Sequence, residues 1–178
     1  MTGTRLRSCK KQGNIMLRIL LIEDSESDAF IIQRALRDHV ENAQCQHVST
    51  VGAGEKVLEE QGDKIDVVLL DLNLPDSASP ADTYRRIRKW ADKIPVIVST
   101  NLKDHRLARS LVHDGAEDYM SKDLMASDPS HVRDAIAFAL ERHALYKNMA
   151  REKERAVRES AEKDTILDCF MGGYSIRK

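Results

Sequence analysis

The segment LRILLIEDSESD, from Leu17 to Asp28, decides the fold of this chain. Its beginning is almost entirely apolar, and the apolar run ends in two adjacent carboxylates, Glu23 and Asp24. Short apolar runs without polar alternation are typical of strands that helices cover on both faces, as in a parallel sheet. Similar runs occur from Val67 to Leu70 and from Val96 to Val98. These three segments are therefore the predicted central strands of a parallel sheet.

Helix-like stretches alternate with the strand-like runs. The mixed run from Cys45 to Val51 suits an outer strand, and Asp118 to Met120 suits a short fifth strand. Apolar residues at helical spacing predict helices between and after the strands. The first predicted helix starts behind an N-cap at Ser27. Three more cover Glu55 to Glu60, Ala81 to Ala91 and Lys103 to His113, and the last begins at Pro129 behind Asp128 as N-cap. This alternation predicts an α/β fold, a doubly wound five-stranded parallel sheet with a long C-terminal helix.

Charged and polar residues stand at the ends of the predicted strands. They are Glu23 and Asp24 after the first strand, Asp71 after the third, Thr100 after the fourth and Lys122 after the fifth. In a parallel sheet these ends meet at one edge, which is where ligands bind. Three carboxylates gathered there repel one another unless a cation is present or their pKa values rise. Because an all-oxygen ligand set suits Mg²⁺, the sequence predicts a magnesium site at this edge.

Four motifs in this order resemble the receiver domain of two-component response regulators. They are LRILLIEDSESD, VVLLDLNLPD, IPVIVST and GAEDYMSKD, and the resemblance covers roughly residues 17–140. It implies the flavodoxin-like receiver fold, with Asp71 as the phosphoacceptor and Mg²⁺ as the cofactor. It also implies metal ligation by Asp24, Asp71 and the main-chain carbonyl of Asn73, with Glu23 holding a metal-bound water. Thr100 and Lys122 would contact the phosphoryl group. Thr100 and Tyr119 would form a conformational switch.

The chemistry of phosphoryl transfer agrees with these implied assignments. When a carboxylate attacks phosphorus, the negative charge of the incoming phosphoryl group must be neutralised. A metal ion and a lysine beside the carboxylate provide this neutralisation. A phosphatase of the haloacid-dehalogenase type would need a second aspartate where this chain has Asn73. The chain departs from the family pattern after Lys122, where Asp123 replaces the usual proline, so the usual cis peptide is not expected there.

Composition narrows the remaining classes of function. The chain of 178 residues has room for one domain with appendages, and 28 Lys plus Arg against 29 Asp plus Glu give a net charge of -1. This balance creates no field that attracts a polyanion, so nucleic acid is not an expected partner. No apolar run approaches the roughly 18 residues of a membrane span, so no membrane contact is expected. The three scattered cysteines show no metal or disulfide pattern, which favours a cytoplasmic protein.

The chain divides into three parts in this interpretation. Residues 1–15 are expected to be a disordered basic arm, with the start of the protein at either Met1 or Met16. Residues 16–145 are the receiver domain, and residues 146–178 are a helical extension and tail. Since neither Gly nor Pro occurs from Ala135 to Asp164, a helix there would be about 45 Å long and would project beyond the domain.

The C-terminal helix has two open interpretations. Ile136, Leu140 and Ala144, with His143 beside them, are predicted to cover the sheet, but few apolar residues follow. The rest of the helix either pairs with its copy in a homodimer or signals to a partner, or it is a solvated tail. The segment also resembles the linker that joins receivers to output domains.

The expected function is that of a phosphorelay response regulator receiver. It would take a phosphoryl group from a histidine kinase or a histidine phosphotransfer protein and signal through contacts with a downstream protein. It would not be an enzyme, although it assists its own phosphorylation and dephosphorylation. Two alternatives stay open, which are the N-terminal regulatory part of a larger signalling enzyme, with a sensor, diguanylate cyclase or kinase output, and a phosphorylation-independent adaptor with the receiver fold.

Overall fold

Five parallel strands form the centre of the molecule, seen in a computed structural model in which residues 16–100 and 118–172 are described. The strands are β1 (Leu17–Ile22), β2 (Ala43–Val48), β3 (Val67–Asp71), β4 (Val96–Thr100) and β5 (Asp118–Ser121). All pair in parallel, in the order β2-β1-β3-β4-β5. The predicted doubly wound five-stranded parallel sheet is confirmed.

Helices connect and flank the strands. They are α1 (Glu26–His39), α2 (Val51–Gln61), α3 (Pro80–Ile87), α4 (Lys122–Ser127) and α5 (His131–Gly172), with single 3-10 turns after α2 and α3 at Gly62–Lys64 and Arg88–Trp90. The helix predicted from Lys103 to His113 lies outside the described residues. The sequence did not predict α4, because its 6 residues are too few to show an apolar stripe.

Each face of the sheet has its own apolar core. Leu70 belongs to the core that α2 and α3 cover, whereas Leu21 and Leu69 belong to the core that α1 and α5 cover. Side chains alternate along a strand. Glu23 comes two residues after Leu21, and Asp71 comes two residues after Leu69. Both therefore lie on the face that α1 and α5 cover, at the carboxyl edge of the sheet.

Helix α1 begins earlier than predicted. Ser25, not Ser27, is the N-cap, and its side-chain oxygen accepts a hydrogen bond from the main-chain N–H of Asp28 at 3.3 Å. The acidic side chains of Glu26 and Asp28 lie in the first turn, where the positive end of the helix dipole favours them. The helix thus starts almost directly after the two carboxylates that follow β1.

Helix α5 begins two residues later than predicted. Asp128 accepts hydrogen bonds from the main-chain N–H and the hydroxyl of Ser130, at 3.0 and 2.6 Å. The chain therefore makes a turn at Pro129 before the helix starts at His131.

A narrow stripe of α5 covers the sheet. Val132, Ile136, Ala139 and His143 are buried, and their spacing of four, three and four residues keeps them on one side of the helix. Ala144 was predicted to belong to this stripe, but it is exposed, because one residue beyond His143 the helix has turned by about 100°.

The second half of α5 projects from the sheet. Every residue from 148 to 163 is exposed. With 42 residues the helix is about 63 Å long, so the predicted long C-terminal helix is confirmed. None of the helices in the described ranges combines the length and the apolar character that a membrane crossing requires.

A cavity lies where α5 leaves the body of the domain. Its volume is about 750 Å³, and its walls include Leu58, Trp90, Ile94, Leu140 and Lys147. The ammonium of Lys147 donates a hydrogen bond to the main-chain carbonyl of Lys93 at 2.7 Å. This contact fastens the helix to the loop before β4, at the edge of the sheet opposite to Asp71.

The loop after β3 is held by Asp76. Its carboxylate oxygens accept hydrogen bonds from the main-chain N–H groups of Val51 and Gly52, at 2.9 and 2.8 Å, at the N-terminus of α2. Arg86 of α3 donates to the main-chain carbonyl of Asp76 at 2.9 Å. Burial opposes ionisation of this carboxyl, but the two N–H groups and the charge of Arg86 outweigh it and lower the pKa of Asp76.

We expect Asp76→Ala to lower the free energy of unfolding by about 1 kcal/mol at pH 7, as the loss of a helix cap does. Because the pKa of Asp76 is lower in the folded chain, this contribution is present above the unfolded pKa, about 4, and is lost as pH falls through the folded pKa. Urea unfolding at pH 7 and pH 3 measures the effect, which should shrink at the lower pH. The exposed Asp92→Ala variant serves as control, and a pH-independent difference would show that the carboxylate charge is not the cause.

Candidate functional site

Three carboxylates gather at the carboxyl edge of the sheet. Glu23 follows β1, Asp24 comes next, and Asp71 is the last residue of β3. Each offers an oxygen that lies within 4.8 Å of the other two. Glu23 is 0% exposed and Asp71 4%, whereas Asp24 is open to solvent. The predicted cluster is thus an acidic pocket that is closed at its floor and open at one side.

The ammonium of Lys122 lies against this pocket. Lys122 is the first residue of α4, directly after β5, and its side chain is 9% exposed. Its Nζ lies 2.6 Å from Glu23 Oε2, 2.8 Å from Asp28 Oδ2 and 3.3 Å from Asp71 Oδ2. Lys122 therefore bridges the first, third and fifth strands and the start of α1.

The charges of the pocket shift its pKa values. Burial raises the pKa of Glu23, the hydrogen bond from Lys122 opposes this shift, and the charge of Asp71 adds to it. Burial by itself would lower the pKa of Lys122, but the hydrogen bonds to Asp28 and Glu23 and the charge of Asp71 raise it above the usual lysine value. Lys122 is therefore a cation at neutral pH, next to Asp71.

The pocket fits a hard divalent cation. Asp71 Oδ1 is buried, and within the described residues no hydrogen-bond donor satisfies it. A buried carboxylate oxygen of this kind calls for an ion or a water. The available donors are all oxygens and one side of the pocket is open, which is the arrangement that Mg²⁺ prefers because it keeps several waters. Asn73, whose main-chain carbonyl is implied by the family resemblance to be a metal ligand, lies in the loop directly after β3.

The two predicted switch residues lie on neighbouring strands. Thr100 is the last residue of β4 and pairs with Ser121, so its backbone lies at the same edge as Asp71, while its side chain is outside the described part. Tyr119 pairs with Val98 and its side chain is 40% exposed. Strand alternation places Tyr119 on the face opposite to Met120, which belongs to the core under α1 and α5. Tyr119 is therefore not part of the pocket itself.

Sequence reasoning missed three polar side chains near the site. Asp28 contacts Lys122, although helix start rules suggest only a capping function for it. Ser99 is fully buried beside Asp71 in the β3–β4 register, and its hydroxyl has no hydrogen-bond partner within the described residues. His47 of β2 donates to the main-chain carbonyl of Glu23 at 2.7 Å. Strand alternation would have pointed to Ser99, because it lies two residues after the buried Ile97 on the same face.

Comparison with known proteins gives one family for most of the chain. Residues 19–137 match the family model described as the response regulator receiver domain. Over 129 residues the chain is 28% identical to the KDP operon transcriptional regulatory protein KdpE of Escherichia coli (strain K12), covering 72% of this chain and 53% of that protein. Over 124 residues it is 32% identical to the cell cycle transcriptional regulator CtrA of Caulobacter vibrioides (strain NA1000 / CB15N), covering 68% and 48%. The chain thus spans about half the length of these curated relatives.

Solved structures give the same result. The signal receiver domain of a Luxo repressor protein from Vibrio parahaemolyticus matches with a TM-score of 0.63 and 29% identity, covering 76% of this chain and 98% of that one. Both of the curated relatives named above are transcriptional regulators, so the comparisons do not support the expectation that nucleic acid is not a partner. The family model covers more than half of the chain, and the fold and the acidic pocket of the chain agree with this match. The chain therefore belongs to the response regulator receiver domain family.

Proposed function

We propose that this chain is a Mg²⁺-dependent phosphorelay receiver whose Asp71 accepts a phosphoryl group from a histidine kinase or a histidine phosphotransfer protein. The observation that supports this proposal best is the environment of Asp71. One of its oxygens lies 3.3 Å from the Lys122 ammonium, and the other is buried without a donor among the described residues. An Asp in this setting has both a positive neighbour and an oxygen available for a metal or for bond formation.

The proposed transfer uses Asp71 as nucleophile. A carboxylate oxygen forms a bond to phosphorus while the bond between phosphorus and the imidazole nitrogen of the donor breaks. The ammonium of Lys122 and the hydroxyl of Thr100 would bind oxygens of the transferred group. The chain would act on itself in this way and not on a separate substrate.

The metal site completes the proposal. Asp24, Asp71 and the main-chain carbonyl of Asn73 would hold Mg²⁺ directly, and Glu23 would hold it through a water. When bound, the ion offsets the negative charge that collects at the pocket during transfer. The all-oxygen donor set and the crowding of three carboxylates support this assignment.

We expect millimolar Mg²⁺ to raise the melting temperature of the wild type, because it relieves repulsion among Glu23, Asp24 and Asp71. Binding adds about 2.7 kcal/mol of stability at a concentration of 100 times Kd. Asp24→Ala should remove most of this response. Thermal melts with and without Mg²⁺ measure it, and Asp63→Ala, which changes an exposed acid outside the pocket, is the matched control. A wild type whose melting temperature ignores Mg²⁺ would not have a metal site here.

The output of the domain would pass through protein contacts. Phosphorylation would draw Thr100 toward the phosphoryl oxygens and allow Tyr119 to turn, which changes the surface near β5 and α5. Residues 16–145 would form this signalling unit, and residues 146–178 an extension that hands the signal to a downstream protein or pairs with its copy in a homodimer. The exposed side chains from 148 to 163 support an extension that is available to a partner.

The proposed setting is the cytoplasm, without a membrane partner. The main alternative is the regulatory part of a larger signalling enzyme, which the projecting α5 would suit as a linker. A phosphorylation-independent adaptor is the second alternative, and the intact arrangement of Asp71 and Lys122 weighs against it.

Incubation with acetyl phosphate, followed by intact-mass spectrometry, tests the proposal. A mass increase of one phosphoryl group that requires Mg²⁺ and maps to Asp71 would support it. No adduct in the presence of Mg²⁺, with a correctly folded protein, would favour the adaptor alternative.

A further inference from the structure

The ammonium of Lys122 is held by a carboxylate outside the acidic cluster. Its Nζ is 2.8 Å from Asp28 Oδ2, closer than the 3.3 Å that separates it from Asp71 Oδ2. Asp28 belongs to α1 and is not among the three residues whose oxygens form the candidate metal site. A cation in that site would therefore offset the charge of Asp71 but leave Asp28 as a partner of Lys122.

The start of α1 directs Asp28 toward this ammonium. Asp28 is the third helical residue behind the N-cap Ser25, a position from which an acidic side chain commonly reaches back to the N–H of the cap. Here the N–H of Ser25 donates to Glu23 Oε1 at 3.3 Å, and the Asp28 carboxylate accepts from Lys122. Asp28 therefore contacts Lys122, a residue 94 positions away, in place of the local N–H of the cap.

We propose that Asp28 is a positioning residue that competes with a phosphoryl group on Asp71 for the ammonium of Lys122. This inference rests on the proposed phosphoacceptor function. Asp28 and Asp71 contact the same nitrogen, so a dianion on Asp71 would meet the negative charge of Asp28 as well as the shared cation. Asp28 therefore limits the stability of the phosphorylated state.

The effect of neutralising Asp28 follows from this geometry. An ammonium has three N–H donors, and its shortest contacts here go to Glu23 and Asp28. Alanine in place of Asp28 frees one donor, asparagine leaves only a neutral and weaker acceptor, and either substitution removes a repulsive charge. Both changes favour an anionic group on Asp71.

Beryllofluoride, a phosphoryl mimic that binds carboxylates, provides the test in the presence of Mg²⁺. Isothermal titration of the full chain should give a Kd for Asp28→Asn and for Asp28→Ala at least about three-fold lower than for the wild type, the factor that one charge at about 6 Å contributes in a water-like dielectric. Asp38→Asn is the matched control, because it removes an exposed carboxylate from the same helix. It should bind like the wild type.

A double-mutant cycle separates this mechanism from a general effect on the pocket. In a Lys122→Gln background the gain from Asp28→Asn should become smaller, because the competition for the ammonium is then gone and only the repulsion between the two anions is left to relieve. If that background binds too weakly to titrate, the comparison of both neutral Asp28 variants with Asp38→Asn decides.

Several results would overturn the inference. They are equal or weaker binding by either neutral Asp28 variant, an equal gain in Asp38→Asn, and a gain that is undiminished without Lys122. A folded wild type that takes up no beryllofluoride would reject the phosphoacceptor assignment itself, and this inference would fall with it.

Discussion

Asp71→Asn should abolish phosphoryl uptake while leaving the fold intact. Asparagine keeps the shape of the side chain, but its amide is not a nucleophile toward phosphorus. The change also removes one of the negative charges packed around Lys122, so the stability of the variant should not fall much below that of the wild type. Intact-mass spectrometry after treatment with acetyl phosphate and Mg²⁺ measures uptake, and circular dichroism measures folding.

A neutral substitution elsewhere provides the comparison for this experiment. Asp63→Asn changes an exposed acid outside the pocket and should be phosphorylated like the wild type. If the Asp71→Asn variant carries the adduct undiminished, the phosphoacceptor is another residue, and the pocket at the end of β3 has a different function.

Lys122→Met should destabilise the metal-free protein by about 3 to 5 kcal/mol, the usual cost of removing one partner from a buried ion pair. The ammonium contacts Glu23 and Asp71, which are both buried, and methionine fills the space without offsetting their charge. Mg²⁺ should restore part of the lost stability, since it offsets the same carboxylates. Urea unfolding with and without Mg²⁺ measures both effects.

Lys56→Met is the matched control, because Lys56 is an exposed lysine on α2. Its effect on the free energy of unfolding should be within about 0.5 kcal/mol. A Lys122→Met variant as stable as this control in the absence of metal would mean that the carboxylates of the pocket do not depend on the ammonium.

The sheet and the acidic pocket could be predicted because local pattern determines them. Apolar runs gave the strands, and in a parallel sheet the residues after each strand must meet at one edge. The position of Glu23, Asp24, Asp71 and Lys122 at this edge could thus be predicted without any tertiary information, whereas their functions stay predictions.

The features that escaped prediction depend on contacts distant in sequence or on small differences in backbone geometry. The contact between Asp28 and Lys122 joins residues 94 positions apart, and nothing local in either segment encodes it. Ser25 and Ser27 are equally good capping residues, and only the extended backbone of Ser25 decides between them. Helix α4 is a single short element whose sequence has no periodic signal.

Because α5 is one uninterrupted helix, its projecting half can act as a lever arm on the domain. The helix is fastened near its middle, where Lys147 donates to the carbonyl of Lys93, and from there to Gly172 it extends about 38 Å. A tilt of about 10° at that point would carry the far end through about 7 Å, a displacement large enough to make or break contacts with another molecule. A small change in packing around His143 would thus produce a displacement of several ångströms at the C-terminal end of the helix.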